Sequence, residues 1–374
     1  MKDKTFRTKI LILLSFITIF NGYVLGDITH WRNNKITERP MRAEIIQKIG
    51  SDKGNERFLK PRSFAIDRNG RIFILDSGNS RVQCFSKDGK FQFSFGRAGQ
   101  GPGELTDRAS NIKILDDGNI YVIDKMSQYR INAYSAEGKF LFFGTTKGVY
   151  YDDVVLLNKT YYLSRILLQE DFQPIDICRT LGKVDGSFGV FIDPAIGLSR
   201  EVSHLPNPEP WVNMFIDSNF TNLIVDNKNE IIFSQQNPYR LIKYDSGGRV
   251  LKDTVGDVDF DTQQHCEFTV GKDGSVSVSW PSAARIFHMS LKGDNQLIVP
   301  FLDPEKDFFF IDIYDLDLNL ISRHKMPYSL VDPRKKEYLN QVIIDDNNNL
   351  FCLVVSKEYP PQLVKYKLIF DTGY

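Results

Sequence analysis

Six polar residues stand just ahead of six short apolar runs: Ser63, Asn111, Asp152, Asn222, Glu267 and Gln341, with Asp153 in place of Asp152 if the third run shifts by one. Gathered around one opening, these side chains would ring it with carboxylate and amide oxygens. Oxygens of that kind suit a hard cation, which takes about six to eight of them at roughly 2.3–2.6 Å. Asn111, Asp152, Asn222 and Glu267 are the candidate ligands, and calcium is the cation they would accept; no other cofactor is expected. His265, two residues from Glu267, is the candidate general base beside them. The simpler reading is that polar groups at strand starts meet water at a wet mouth.

A second set could grip a ligand without transforming it. Tyr129, Trp211, Trp280 and Tyr359 fall in connecting segments, where exposed rings stack on sugars or hold peptides. Packing under a long loop is the commoner fate of such rings. Arg97, Arg108 and Arg165, with Arg62, lie outside the repeated positions and could meet an anion, whereas Arg81 and Arg130 are repeat-equivalent and read as links between units. No Gly-x-Ser-x-Gly, His-Glu-x-x-His or P-loop spacing occurs. The Gly-rich stretch 96–104 follows an outer strand and opens no helix, so it is a connection and not a phosphate cradle.

The elements that must position these residues repeat. Residues 64–96 read FAIDRNGRIFILDSGNSRVQCFSKDGKFQFSFG: four β-rich runs separated by Asn-Gly and Asp-Gly turns and one polar break. Those dipeptides supply the positive φ that tight hairpins need, so the stretch is a four-stranded antiparallel meander. A copy fills 111–144, with Gly70, Asp76 and Gly96 matched by Gly118, Asp124 and Gly144, each 48 residues on. A fixed period built on a four-strand unit marks a propeller. Weaker copies follow at 153–188 and 222–256, and a fifth within 267–325, its first strand starting at Glu267 and 293–306 set aside as an inserted loop. The last copy, 341–370, has only three runs, and residues 44–49 read as its missing outer strand. The expectation is an all-β, six-bladed β-propeller with four-stranded antiparallel blades, its ring closed by the N-terminal strand joining the C-terminal blade.

The first two units resemble NHL-repeat blades through Asp67, Gly70, Asp76, Asn79, Arg81 and Gly89, and through Gly118, Asp124, Arg130 and Gly138; Leu115 departs from the pattern. The chain as a whole is similar to six-bladed propeller proteins exported by Gram-negative bacteria. Six-bladed propellers that act as calcium-dependent lactonases or esterases hold a metal with Asp, Glu and Asn near the channel mouth, so this resemblance implies the same place for the ring above.

Lys plus Arg and Asp plus Glu are equal at 47 each, which argues against nucleic acid as a partner. Residues 1–26 read as a signal peptide: four basic residues, then an apolar run too short to span a bilayer. Residues 27–42 read as a polar N-terminal arm and 43–374 as one propeller domain. Export to the periplasm, the cell surface or the medium follows, with no stable membrane span once the signal is removed. Cys84, Cys178, Cys266 and Cys352 lie in different units and read as buried apolar residues. The chain is expected to be a monomer and a binding scaffold for a peptide, glycan or partner protein, with the calcium-dependent lactonase- or esterase-like hydrolase or lyase as the alternative.

Overall fold

The computed structural model describes residues 28–30, 37–51, 53–125, 129–146, 149–165, 173–189, 221–236, 239–255, 267–270, 276–279, 285–303, 308–328, 330 and 337–370. Its strands form a six-bladed β-propeller. Two strands, β1 (Ile28–His30) and β2 (Glu38–Ile49), precede the first blade. Blade 1 is β3 (Pro61–Ile66), β4 (Ile72–Asp76), β5 (Arg81–Phe85) and β6 (Phe91–Phe95); blade 2 is β7 (Ala109–Ile114), β8 (Ile120–Asp124), β9 (Arg130–Tyr134) and β10 (Phe140–Thr145). Blade 3 follows with β11 (Tyr151–Leu157), β12 (Thr160–Arg165), β13 (Ile175–Cys178) and β14 (Gly186–Phe188). Blade 4 has β15 (Thr221–Val225), β16 (Ile231–Gln235), β17 (Arg240–Tyr244) and β18 (Val250–Val255).

Blade 5 is assembled differently from the expectation. Residues Glu267–Val270 (β19) and Val276–Ser279 (β20) form a two-stranded hairpin of their own. The inner edge of the blade is β21 (Arg285–Ile286) and β22 (Ser290–Lys292), both paired to β23 (Gln296–Asp303), followed by β24 (Phe308–Asp315) and β25 (Leu320–Pro327). The stretch expected to be an inserted loop is thus the second strand. Pro300 hid it, because proline has no N–H for a ladder. The inner strand breaks opposite that proline, and the Phe287 N–H donates to the Pro300 carbonyl at 2.9 Å.

Blade 6 is β26 (Tyr338–Ile344), β27 (Asn349–Val355) and β28 (Gln362–Phe370), completed by β2, which runs antiparallel to β28 from Met41 opposite Phe370 to Ile49 opposite Leu363. The ring closes as the sequence implies. The polar arm, however, is paired along most of its described length. Ile28–His30 adds in parallel to β18, and Glu38–Pro40 adds in parallel to β25 before β2 passes to blade 6. Extended backbone beside an open edge satisfies its N–H and C=O groups there, whatever its side chains.

The core is six seams rather than one centre. In β4, Ile72 and Ile74 pack toward blade 6 with Phe351 and Leu353, while Phe73 and Leu75 pack toward blade 2 with Ile112 and Val122. A strand inside a blade therefore has two buried faces, which is why such runs read as nearly continuous apolar stretches without alternation.

Candidate functional site

Antiparallel blades put all inner-strand starts, all interblade links and all second-to-third-strand loops at one end of the ring, here the link face. Four inner strands carry a β-bulge there, between Pro61 and Ser63, Ala109 and Asn111, Tyr151 and Asp153, and Leu339 and Gln341. In register, Ser63, Asn111, Asp153, Asn222 and Gln341 are equivalent, so the shifted alternative for blade 3 holds. Asp152 is the extra bulge residue, equivalent to Arg62, Ser110 and Asn340. A bulge re-aims one side chain while leaving the ladder on either side intact.

The ring side chains stitch blade to blade. The Ser63 hydroxyl donates to Asn111 Oδ1 at 2.8 Å, and Asn111 Nδ2 donates to the Asp152 carbonyl at 2.7 Å. The Asp153 carboxylate accepts the N–H groups of Val154 and Leu223, each at 2.9 Å. Gln341 closes the circle on Phe64, donating from Nε2 to its carbonyl at 3.1 Å and accepting its N–H on Oε1. Asn222 stays within its blade, donating from Nδ2 to the Ser234 hydroxyl at 3.3 Å.

Two lysines complete the arrangement. Lys113 Nζ lies 2.9 Å from Asp153 Oδ2 and donates to the Leu223 carbonyl at 3.3 Å, linking blades 2, 3 and 4. Lys125 Nζ lies 3.2 Å from Asp152 Oδ1, whose other oxygen accepts the Thr221 N–H at 3.2 Å. Burial pushes the Asp153 carboxyl above its ordinary range, and the Lys113 ammonium pulls it partly back. A calcium ion needs convergent, unoccupied oxygens, and these carboxylates already hold ammonium groups and backbone donors. Among the described residues, no group of three or more His, Cys, Asp or Glu side chains is placed to hold a metal ion. Asn111, Asp152 and Asn222 are thus on one rim but engaged. Glu267 belongs to the β19–β20 hairpin, off the inner strand of blade 5 on which its place in the ring depended. His265, Trp211 and Trp280 lie outside the described residues.

The remaining candidates separate by their partners. Arg165 is committed to Asp176, with Nε at 2.7 Å from Oδ2 and Nη2 bound to Oδ1. It is equivalent to the blade-closing Asp76 and Asp124, so it has a structural place that the degraded third copy concealed. Arg97 is exposed but binds Glu104 Oε1 at 2.9 Å within its own link, and Gly101 holds the other oxygen at 2.7 Å. These contacts keep the Glu104 carboxyl below its ordinary range, the Gly101 N–H most of all. Arg81 and Arg130 are links as read: Arg81 Nη2 donates to the Arg57 carbonyl, and Arg130 Nη1 to those of Gln100 and Gly101. Arg62 and Arg108 reach solvent on neighbouring blades. Tyr129 donates its hydroxyl to Tyr150 at 2.9 Å, the two rings edge to face at 4.5 Å. Its φ of +46° is a left-handed conformation rare for a bulky residue, held by Thr146, whose N–H and hydroxyl both donate to its carbonyl. Tyr359 is half-buried beside β28. Lys113, Lys125 and Tyr150 escaped the sequence reading. The available signal was a lysine at position 113 inside an apolar inner strand.

Comparison with known proteins agrees with this architecture. Residues 46–164 match the family model DUF5128, described as a 6-bladed beta-propeller. Over 84 residues, 22% of this chain, the sequence is 29% identical to Protein brain tumor of Drosophila melanogaster, covering 8% of that protein. Over 146 residues, 34% of this chain, it is 29% identical to peptidyl-alpha-hydroxyglycine alpha-amidating lyase 1 of the same organism, covering 27% of it. The chain thus matches well under a third of either relative's length. A crystal structure of a protein described as exported, from Bacteroides fragilis NCTC 9343, superposes with a TM-score of 0.53 at 12% identity, over 92% of this chain and 99% of that one. The chain is a six-bladed β-propeller similar in fold to that protein.

Proposed function

We propose that the protein is an exported binding scaffold whose link face receives an anion-bearing ligand, on a peptide, glycan or partner protein, across blades 1 to 3. One observation supports this most: charge at the mouth is unevenly used. The carboxylates Asp76, Asp124, Asp152 and Asp153 are buried and bonded to link backbone or lysine, whereas Lys60, Arg62 and Arg108 stand exposed around them. Among the described residues these three cations make no salt bridge, and exposed cations of that kind favour a carboxylate, sulfate or phosphate group. The hydrogen-bonded Tyr129–Tyr150 pair offers a rigid aromatic neighbour for a sugar or side chain.

The test is titration calorimetry against acidic and neutral peptides and oligosaccharides at two salt concentrations. Acidic ligands should bind more tightly and lose affinity with salt. The Arg62→Ala/Arg108→Ala double variant should bind them at least about tenfold more weakly. Equal affinity for neutral ligands, or an unaffected double variant, refutes the reading.

Similarity to the amidating lyase favours one alternative, a hydrolase or lyase with calcium at the mouth. It requires Asn111, Asp152 and Asn222 to leave their present partners and join Glu267, with His265 as base. Stoichiometric calcium in the purified protein, lost in Glu267→Gln, would establish it. Metal-free protein with a melting temperature indifferent to chelator would remove it.

A further inference from the structure

Strand β2 is shared between two blades, and a buried histidine lies at the crossing. Glu38–Pro40 pairs in parallel with β25, placing Arg39 opposite His324, and the next residue, Met41, already pairs with Phe370 of β28. His324 is 6% exposed. Its ring packs edge-on against Phe370 with centroids 4.6 Å apart. Nε2 lies 3.1 Å from the Ser322 hydroxyl, and the buried Nδ1 has no hydrogen-bond partner among the described residues.

The surroundings receive a second proton badly. From β2, Arg39 faces the histidine, and Glu38 is bound to Lys325. The carboxylate that favours its charged form, Asp312 of β24, is taken by Arg323 of β25 in a two-point contact at 2.7 and 2.8 Å. Lys292 of β22 adds positive charge and is held by Asn348 Oδ1 at 2.6 Å. Protonating the ring creates a buried N–H with no acceptor and a charge facing two cations.

We propose that His324 is a proton-sensitive latch: its protonation releases Glu38–Pro40 from β25 and opens the outer edge of blade 5, while Met41–Ile49 stays on β28. The strap is the weaker part of β2, with three register pairs against eight on β28. Burial first, and Arg39 next, hold the His324 pKa below its ordinary 6.5. The docked strap therefore binds fewer protons than the free one. Docking is full above about pH 6.5 and weakens as pH falls through the depressed value. The freed edge of β25 is an unpaired ladder able to receive another extended strand.

Hydrogen–deuterium exchange of the full-length protein at about pH 7.5 and about pH 5, corrected for intrinsic rates, tests the latch. The amides of Glu38 and Arg39 should lose roughly tenfold protection at the lower pH, with those of β4 unchanged. His324→Gln should keep its protection, and Arg39→Gln, which lets the docked value rise toward the free one, should shrink the loss. Undiminished protection in the wild type at about pH 5, or an equal loss in His324→Gln, overturns the proposal. If His324→Gln fails to fold, seen as lost protection in β4, Arg39→Gln decides: an undiminished loss overturns it.

Discussion

Lys113 carries more of this ring than its place in one strand suggests. Its ammonium offsets the buried Asp153 carboxylate and caps a carbonyl two blades away. Lys113→Met should destabilise the protein by about 3–5 kcal/mol near neutral pH, read from urea unfolding, because it leaves a buried charge alone. The loss should shrink on acidification. Asp153 titrates above its ordinary 3.8 in the folded state, so its proton linkage favours folding below that value and fades as pH rises through the raised one. Without Lys113 the carboxyl can be relieved only by protonation. Asp76 works through hydrogen bonds instead: Oδ1 accepts the N–H groups of Leu59 at 3.0 Å and Lys60 at 2.9 Å. Asp76→Ala orphans both donors and should cost about 2–4 kcal/mol by the same measurement. The repeat motif predicted a special place for this aspartate, but its role as a clamp on the incoming link depends on contacts 16 and 17 residues away.

Among the elements, the outer strand of one blade and a turn of the next meet at very short range. A Cβ on Gly144, near the end of β10, would lie 2.3 Å from the Leu181 carbonyl oxygen in the turn between β13 and β14. Gly144→Ala should lower stability by about 1–3 kcal/mol in thermal denaturation, since backbone must move on both sides. Gly118 is the control: its φ of +76° favours glycine, yet a Cβ there would meet nothing within 4 Å. Gly118→Ala should cost only about 1 kcal/mol. Turn punctuation made blades 1 and 2 plain in the sequence, and 341–370 was readable as three strands lacking a fourth. Blade 5 was not readable. Its second strand contains Pro300, and the β19–β20 hairpin imitates a first pair of strands because hairpin signals are local and say nothing of which sheet receives them.

The whole molecule depends on where its two ends meet. Blade 6 has three strands from the C-terminal end and one from the N-terminal side, and β2 also fastens blade 5. Deleting residues 27–49 should abolish cooperative melting in calorimetry, because the ring loses its closing strand and two edges open. Deleting 27–37 removes only the addition to β18 and should leave a single transition within a few degrees of the parent. A cooperative, unshifted melt of the longer deletion would show that closure contributes little.

Short apolar runs, Gly-centred turns and a constant period determined by themselves that this chain is a β-propeller with its ends joined, since hairpins and buried strands leave their mark within a few residues. The rim chemistry was decided only in three dimensions. Whether an aspartate at a strand start faces a metal, a lysine or a neighbouring blade depends on bulge register and on groups tens of residues away, and one residue of slip in blade 3 exchanged Asp152 for Asp153.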